Sequence, residues 1–370
     1  MRKCAPLIAA GALVIGVLAS FPAMAKPVTD CPLRDAPFSA ESPLIDILLS
    51  PAAKAVVEAT AGSTLDKVPA RFAGTTPPSF AAILSLRSAS MFTGLKANAL
   101  ADVDARLRKL PVTDADRSAR CARYDNDVPV FTLKPGKRHI LVFEKINGFR
   151  DGPSVEAAHA AFVAMAERKG WDLVTTDKGG AFNAATLGQF DAVIWNNVSG
   201  DVLTLSQRAA FQRFLERGGG FVGVHGTAGD PSYFWDWYAD TLIGARFKGH
   251  PMNPQYQEAR IAVDIASPLA AGLPAEWRMT DEWYSFSTNP RKAGAKVVLS
   301  LDESTYSPVG PMSVDLRMGD HPLAWTNCIG KGRMFYSAIG HRPETYSRPE
   351  YVTLLETAIA WAAEDRKACP

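Results

Sequence analysis

The spacing of apolar residues divides the chain into two parts. Between residues 26 and 135, apolar side chains recur at helical intervals, as in the segment 97–110, and no strand-like alternation occurs. From Arg138 the pattern changes to short apolar runs, beginning with 139–143, that alternate with amphipathic segments such as 154–169. Strands that alternate with helices are typical of parallel βαβ units and hence of a doubly wound sheet.

We therefore predict a three-layer α/β domain at residues 136–366, with a doubly wound, mostly parallel sheet, preceded by a small helical accessory domain at residues 26–135. The chain length also favours two units. None of the six histidines falls in the helical segment. We expect this segment to shape a substrate site or to dock a partner enzyme, and we expect catalysis to reside in the α/β domain.

The first 25 residues have the three parts of a secretory signal. Arg2 and Lys3 precede an apolar stretch at 5–18, and residues 23–25 (AMA) fit the small-x-small cleavage rule. The apolar stretch is too short to span a bilayer as a stable helix, although an uncleaved anchor is the alternative. The sequence predicts an exported, soluble protein, periplasmic or secreted, that does not bind a membrane.

The charge balance argues against one class of partner. Residues 1–25 contain two of the 40 Lys and Arg residues and none of the 38 Asp and Glu residues, so the mature chain has a net charge near zero. Proteins that bind nucleic acid need a basic face, and we therefore expect no nucleic-acid partner.

Four cysteines follow the signal, and disulfides can form in an oxidising compartment. We expect Cys31 and Cys121, which bracket the helical segment, to pair. No C-x-x-C spacing occurs, which argues against a thioredoxin-like redox site and against a cysteine zinc site.

A histidine stands where one strand leaves the predicted sheet. Residues 218–227 (GGGFVGVHGT) follow a predicted helix and contain a short buried strand, with His225 at its tip. Buried parallel strands deliver such a residue to the carboxyl edge of the sheet, where α/β folds bind ligands. A neutral imidazole acts as base, acid or metal ligand near pH 7 and is not the usual acyl nucleophile. The alternative is an ordinary strand end whose histidine is satisfied by the backbone.

Further polar side chains concentrate at other predicted strand exits and in an acidic pair set among aromatic residues. Carboxylates, imidazoles and aromatic faces together are common in sites that handle sugars. The predicted catalytic residues are His225, Glu282 and His341. The predicted substrate-binding residues are Arg150, Asn197, His250, Asp281, Trp283, Tyr284 and His321.

Several of these candidates have a structural alternative. The pair Asp281 and Glu282 also fits a solvated turn, and His341 also fits a cap before the last helix. His321 precedes a proline, and such turn residues commonly lie at the surface.

Several well-known site types are missing from the sequence. The strand tip carries neither Ser nor Cys, which leaves no nucleophile for a glutaminase or an α/β-hydrolase triad. The metalloprotease motif H-E-x-x-H, a Walker loop and a convincing G-x-G-x-x-G after the first strand are also missing. We therefore do not expect phosphate or nucleotide chemistry.

From Arg138 to about Glu364 the chain resembles the trehalose-utilisation (ThuA-like) family, a branch of the class I glutamine amidotransferase-like fold. The resemblance rests on 218–225 (GGGFVGVH), 244–251 (GARFKGHP), 281–284 (DEWY), 321–325 (HPLAW) and 332–341 (GRMFYSAIGH), in the family's order. The helical segment lies outside it. At Asp151 and Ser267 the family often has histidine, so any role of those histidines in relatives is altered or lost here.

The resemblance implies a sugar substrate, in particular a glycoside oxidised at the 3-position, and a fold in which His225 replaces the usual cysteine. We expect an exported enzyme that removes the acidic C2 proton of such a carbohydrate, followed by elimination and hydration or by isomerisation. In this scheme His225 or Glu282 is the base and His341 the acid. A divalent metal on His225, His250 and Glu282 would polarise the keto group.

Two other functions stay open at this point. The first is a non-catalytic carbohydrate-binding or scaffold protein, in which the helical domain docks onto a partner enzyme. The second is hydrolysis of an amide or ester. Its support is weaker, because no nucleophile occupies the strand tip.

Overall fold

The computed structural model describes Met1 and residues 27–61, 65, 68–93, 95–364 and 369. The predicted export signal at residues 1–25 lies outside these ranges, apart from Met1. Within the described ranges, no helix is long and apolar enough to span a bilayer.

The α-helices of the described ranges are α1 (Leu44–Leu49), α2 (Pro51–Ala61), α3 (Leu86–Thr93), α4 (Ala97–Leu107), α5 (Asp114–Cys121), α6 (Gly152–Lys169), α7 (Ala184–Leu187), α8 (Leu205–Glu216) and α9 (Pro349–Ala362). The strands are β1 (His139–Phe143), β2 (Asp172–Thr176), β3 (Ala192–Asn196), β4 (Gly220–Val224), β5 (Phe247–Gly249), β6 (Tyr256–Val263), β7 (Glu276–Glu282), β8 (Ser285–Phe286), β9 (Lys296–Leu301), β10 (Pro322–Ile329) and β11 (Gly332–Ser337).

A nine-stranded sheet with the order β2-β1-β3-β4-β11-β10-β9-β6-β7 forms the centre of the fold. The strands from β2 to β11 in this order are parallel, and β10, β9, β6 and β7 continue the sheet in antiparallel fashion. The strands β1, β3 and β4 are almost entirely buried, as expected where helices cover both faces. The predicted α/β fold with a parallel sheet at its core is confirmed.

Helices cover both faces of the sheet. The helix α6 connects β1 to β2 toward one edge, whereas α8 connects β3 to β4 toward the other edge. Because such crossovers are right-handed, the two helices lie on opposite faces. The helix α9 packs beside α6, and α7 packs beside α8, which completes the three layers. The winding reverses between β1 and β3, and sheets of this kind bind ligands at the carboxyl ends of the strands near such a switch point.

The helices α1 to α5 precede the sheet and enclose an apolar core of their own. Its members include Leu44, Ile47, Val57, Leu100 and Val103. The region also contacts loops at the carboxyl edge of the sheet: Ser79 N donates to Asn147 O at 3.0 Å, and Ser232 N donates to Ile83 O at 3.1 Å. A helical region therefore precedes the sheet as predicted, and its division from the sheet at residue 135 as a separate domain remains a prediction.

Two disulfides are present. The bridge Cys31–Cys121 confirms the predicted pair and closes the helical region on itself. A second bridge, Cys328–Cys369, joins β10 to the C-terminal tail and was not predicted.

Candidate functional site

His225 follows β4 directly, at the carboxyl end of a fully buried strand. Its φ is +39°, in the left-handed region that residues other than glycine rarely adopt. The backbone at Gly340 passes close to His225: a Cβ added to Gly340 would lie 3.2 Å from the Cβ of His225. Strained non-glycine residues of this kind cluster at functional sites.

Three ionisable side chains meet at this point. The Nε2 atom of His225 lies 3.0 Å from Nδ1 of His341, which in turn lies 3.1 Å from Oε2 of Glu282. The third side of the triangle, from His225 Nε2 to Glu282 Oε2, measures 3.4 Å. All three residues are buried. The structure thus brings together the three residues predicted as catalytic, which we call the 225–282–341 cluster.

The ring of His225 is held in one orientation. Its Nδ1 atom lies 2.8 Å from the carbonyl oxygen of Ala338. Because a carbonyl only accepts hydrogen bonds, Nδ1 carries the hydrogen, and in the neutral ring Nε2 turns its lone pair toward the cluster. Tyr284 stacks on the imidazole with ring centroids 4.2 Å apart, and the Tyr336 hydroxyl donates to the His225 carbonyl at 2.8 Å.

Both carboxylate oxygens of Glu282 are engaged. The oxygen outside the cluster, Oε1, accepts a hydrogen bond from Gln255 at 2.6 Å and lies 3.1 Å from Nδ1 of His250. Burial by itself raises the pKa of this carboxyl group. The contacts with the imidazoles of His225, His341 and His250 outweigh burial and hold the pKa of Glu282 well below its usual range. Glu282 is therefore ionised at neutral pH.

His341 reaches from the cluster toward the protein surface. Its Nε2 atom lies 3.9 Å from Asp151, and its ring lies 5.4 Å from that of Tyr256 and 6.1 Å from that of Phe149. Burial alone lowers the pKa of this imidazole. The hydrogen bond to Glu282 and the nearby negative charges outweigh burial, so the pKa of His341 lies above its usual range.

His250 is the most exposed imidazole near Glu282, with 24% of its side chain accessible. Its Nδ1 atom also lies 2.9 Å from the carbonyl oxygen of Pro251, so Nδ1 carries the hydrogen and Nε2 has the lone pair in the neutral ring. Among the residues that the structure describes, none forms a hydrogen bond with this Nε2 atom.

Asp281, predicted to bind substrate, holds the loop that carries His341. Its carboxylate accepts hydrogen bonds from the backbone N–H groups of Gly340, His341 and Arg342 at 3.0 to 3.2 Å and from the hydroxyl of Thr345 at 2.8 Å. The residue is fully buried, and burial raises the pKa of its carboxyl group. Asp281 is therefore a positioning residue.

Asn197 also positions the backbone. Its side-chain amide donates to Asn196 and to the Tyr346 hydroxyl, at 3.0 and 3.1 Å, and its Oδ1 atom accepts from Gly226 N at 3.2 Å. These contacts fix the turn that follows His225. Both hydrogens of the amide are thereby used within the protein.

Two other predicted substrate contacts lie behind the site. Trp283 is fully buried and donates its indole hydrogen to Gln257 O at 2.8 Å. His321 is buried as well, with Nδ1 2.8 Å from Glu303 and Nε2 2.8 Å from the carbonyl oxygen of Tyr284. Because their polar atoms are bonded within the core, we assign both residues a structural role instead of substrate binding.

Tyr284 and Arg150 complete the predicted set. Tyr284 belongs to the site through its stacking on His225, although it is buried. Arg150 is exposed and lines an adjoining cleft beside Glu144 and Lys145 instead of the cluster.

Several residues near the cluster were not predicted from the sequence. Gln255 binds Glu282 directly, and Tyr256, with 42% exposure, and Phe149, with 37%, lie at the surface beside His341. The register of β6 against β7 pairs Tyr256 with Glu282, which explains why Gln255 and Tyr256 lie near Glu282. Asp151, where the family often has histidine, lies two residues after Phe149 and was a signal for this loop.

The cluster is also the candidate metal centre. Within the described ranges, one group of three metal-ligating side chains has its ligand atoms within 4.8 Å of one another, and it consists of His225, Glu282 and His341. His250, which we considered together with His225 and Glu282 for a metal, is not a member of this group and contacts the other oxygen of Glu282.

Comparisons with known proteins agree with the fold. The sequence pattern of ThuA, described as trehalose utilisation, matches residues 139–362, which run from β1 to the end of α9. A comparison with curated proteins gives no significant match.

Solved structures give several likenesses. A ThuA-like protein from Bacteroides uniformis is 26% identical, with a TM-score of 0.53 over 64% of this chain and 95% of that chain. A ThuA-like protein from Parabacteroides merdae is 17% identical, with a TM-score of 0.46 over 63% of this chain and 92% of that chain. A glutamine amidotransferase from Thermotoga maritima is 11% identical, with a TM-score of 0.38 over 62% of this chain and 99% of that chain.

Proposed function

Because the chain belongs to the ThuA, or trehalose utilisation, family, we propose that it is an exported enzyme that acts on a carbohydrate, namely a glycoside oxidised at the 3-position. The observation that carries this proposal is the environment of Glu282. Its two oxygens each contact the Nδ1 atom of an imidazole, that of His341 on one side and that of His250 on the other. Carboxylate–imidazole pairs of this kind move protons in enzymes.

The composition of the cluster favours a keto-sugar over an ordinary glycoside. Glycosidases that cleave through an oxocarbenium-like transition state use two carboxyl groups, one on each side of the bond. In the site described here, Glu282 has both oxygens engaged and Asp281 is bonded to a loop. Imidazoles instead suit removal of a carbon-bound proton next to a carbonyl group, which needs a base that is neutral near pH 7.

The proposed reaction begins at C2 of the sugar. The 3-keto group acidifies the C2–H bond, and a base takes this proton to leave an enolate. The electron pair then forms the C1–C2 double bond, and the glycosidic oxygen leaves C1 with a proton from an acid. Addition of water across this double bond, with OH at C1 and H at C2, gives net hydrolysis. In the alternative route no group leaves: the enolate, which carries oxygen on both C2 and C3, takes the proton back at C3 instead of C2, and the product is an isomer.

His250 is the base that this geometry supports best. Its Nδ1–H points to Glu282 and Pro251, which leaves the partly exposed Nε2 atom to accept the C2 proton. We had expected His225 or Glu282 in this role. The low pKa of Glu282 and its engaged oxygens make it a weak base, and the Nε2 atom of His225 is turned into the cluster.

His341 is the acid. Its raised pKa keeps a larger fraction of the ring protonated, and its Nε2 atom lies on the side of Asp151 and Tyr256, away from Glu282. A proton on Nε2 can therefore pass to the leaving oxygen. Glu282 stabilises the charged ring from the opposite side, through Nδ1.

Exposed aromatic rings beside His341 support a sugar ligand. Tyr256 and Phe149 are exposed aromatic residues, and apolar faces of pyranose rings pack on such groups. Phe149 in turn packs on Phe80 of the helical region, with centroids 5.0 Å apart. This contact supports a substrate-shaping role for the helical region. Docking of a partner enzyme is the alternative role.

The two disulfides support export. Structural disulfides form and persist in oxidising compartments such as the periplasm. The bridge Cys31–Cys121 is buried, whereas Cys328–Cys369 ties the exposed Cys328 of β10 to a residue near the C-terminus.

The test is to incubate the purified protein with 3-keto-trehalose and with trehalose, and to follow the sugars by chromatography. We expect conversion of the keto-glycoside alone, with 3-keto-glucose and glucose as products of cleavage, or an isomeric keto-disaccharide as the product of isomerisation. Binding of the sugar without any turnover would instead support the non-catalytic carbohydrate-binding protein. Turnover of trehalose but not of its keto derivative would overturn the proposal.

A further inference from the structure

The 225–282–341 cluster has the dimensions of a metal site. Its three polar atoms form a triangle with sides of 3.0, 3.1 and 3.4 Å. Ligands held about 2.0–2.2 Å from one ion lie about 3.0 Å apart at right angles and about 3.4 Å apart in a tetrahedron. We propose that His225 Nε2, His341 Nδ1 and Glu282 Oε2 bind one divalent transition-metal ion, with Zn²⁺ as the best fit.

The donor set selects the class of ion. Two imidazole nitrogens and one carboxylate oxygen suit zinc and related transition metals, whereas Mg²⁺ and Ca²⁺ prefer oxygen ligands. Catalytic zinc sites commonly have three protein ligands and one open position. The cluster offers three ligands on the side of the sheet where α/β folds bind substrates.

The lone pairs are available for an ion. The hydrogen of His225 is on Nδ1, facing Ala338 O, so the Nε2 lone pair of the neutral ring points into the cluster. The Oε2 atom of Glu282 is also an acceptor, and it lies 3.4 Å from this nitrogen. In the protein without an ion, the hydrogen on His341 Nδ1 is the bridge between these two acceptors. An ion would take the place of that hydrogen.

The surroundings hold each ligand as metal sites require. Ligating histidines usually donate their other N–H to a carbonyl or a carboxylate, and ligating carboxylates are themselves hydrogen-bonded. His225 meets this rule through Ala338, and the second oxygen of Glu282 accepts from Gln255 at 2.6 Å. The other nitrogen of His341 lies 3.9 Å from Asp151, within reach of a small side-chain movement.

The pair of His321, which is buried, and Glu303 shows how a structural histidine–glutamate pair differs from the cluster. His321 contacts Glu303 at 2.8 Å, but its second nitrogen faces the carbonyl oxygen of Tyr284 at 2.8 Å. No second imidazole of the described residues joins that pair within metal-ligating distance. The cluster is therefore distinguished by convergence of three ligand atoms, not by burial of a His–Glu contact.

The ion would deepen the proposed function, on which this part of the inference rests. A carbonyl oxygen bound at the open position of the ion would be polarised, and the neighbouring C–H bond would be more acidic. His250 lies outside the ligand set and stays free to take the proton. With an ion on Nδ1, His341 would be a neutral ring, and its Nε2–H would donate a hydrogen bond to the glycosidic oxygen while the ion stabilises the charge that develops.

The test measures Zn²⁺ on the purified, untagged chain without any sugar, because a histidine tag would itself bind the ion. The protein is stripped with a chelator, titrated with Zn²⁺ in a calorimeter, and dialysed for elemental analysis. We expect about one Zn²⁺ per chain, tighter binding of Zn²⁺ than of Mg²⁺, and a rise in melting temperature with Zn²⁺. Loss of a supporting partner typically weakens metal binding 10–100-fold, so His225→Ala, His341→Ala and Glu282→Gln should each weaken it by more than about 100-fold.

The control variant is His159→Ala, which removes a partly exposed imidazole paired with Glu144 at 2.9 Å outside the cluster. It should bind Zn²⁺ like the unaltered chain. Circular dichroism of each stripped variant establishes that it is folded, and Glu282→Asp provides a second carboxylate variant if Glu282→Gln does not fold. The proposal is overturned if the unaltered chain binds no stoichiometric Zn²⁺, or if folded cluster variants bind as tightly as His159→Ala. Since no sugar is used, this result is independent of the keto-glycoside assay.

Discussion

Glu282 and His341 contact one another at 3.1 Å although they leave strands far apart in the sheet. Glu282 ends the edge strand β7, whereas His341 follows β11, and the three strands β10, β9 and β6 lie between them. The ladder between β9 and β10 contains register shifts, and bulges of this kind bend strands and increase twist. Because four antiparallel pairings lead from β11 to β7, the two strands run in the same direction and end at the same edge of the sheet.

Replacing Glu282 by Gln should abolish most turnover with little change of fold. Gln keeps the size of the side chain but removes the charge that orients both His341 and His250. A lost proton-transfer partner typically costs about 10²- to 10⁴-fold in rate, and we expect a fall in kcat of that size. Glu303→Gln is the matched control, since it alters a His–Glu contact outside the cluster. Similar kcat values for the two variants would contradict the role of Glu282.

Replacing Asp281 by Asn should lower both stability and kcat. The carboxylate accepts hydrogen bonds from Gly340, His341 and Arg342, and an amide group would oppose some of these N–H donors with hydrogens of its own. An unsatisfied buried group costs about 1–3 kcal/mol. The loop that carries His341 should shift, so kcat should fall more than KM rises. Denaturant titration and steady-state kinetics measure the two effects, and an unchanged kcat would refute the positioning role.

Asp230 should make stability depend on pH. Burial raises the pKa of its carboxyl group from 3.8 to about 7, against hydrogen bonds from Ser199 and Gly200 that lower it. Between these two pH values the folded chain keeps a proton that the unfolded chain has lost. This contribution to stability is therefore complete below about pH 4 and is lost as the pH rises through about 7.

The variant Asp230→Asn tests this pH dependence. Asn stays neutral at all pH values and keeps an oxygen for the N–H of Gly200. We expect the melting temperature of the variant, relative to the unaltered protein, to be higher at pH 8 than at pH 5. An equal difference at both pH values, measured by scanning calorimetry, would show that Asp230 does not titrate in this range.

The disulfide Cys31–Cys121 should contribute strongly to stability, because it closes a segment with a sequence separation of 90 residues. Replacement of both cysteines by serine should lower the free energy of unfolding by about 2–4 kcal/mol. The matched variant at Cys328 and Cys369 removes a bridge with a separation of 41 residues and should cost less. Denaturant titration of both variants decides the order, and the reverse order would be contrary to this expectation.

Much of the site follows from the sequence because its residues leave strands at one edge of the sheet. His225 after β4, His341 after β11 and Glu282 at the end of β7 were all identified as candidates from glycine-rich exits and from the acidic pair among aromatic residues. The alternation of apolar strands and helices likewise gave the parallel core of the fold.

The remaining features depend on pairings that the sequence pattern does not encode. Gln255 and Tyr256 reach Glu282 and His341 because β6 pairs with β7 in one register. Trp283 follows Glu282 in the sequence but lies in the core. The sequence of an aromatic run does not indicate which of its rings faces a ligand. Asp281 was expected to bind substrate as part of an acidic pair among aromatic residues. Its positioning role was not predicted, because the backbone donors that occupy it come from a loop distant in sequence.

Exchange of the C2 hydrogen of a 3-keto-glycoside in D₂O, followed by proton NMR, tests the central claim most directly, since every proposed route begins with removal of this proton. We predict that the protein accelerates loss of the C2–H signal, that Glu282→Gln abolishes the acceleration, and that Glu303→Gln retains it. A C2–H signal that persists at the uncatalysed rate while the keto-glycoside is consumed would contradict the account.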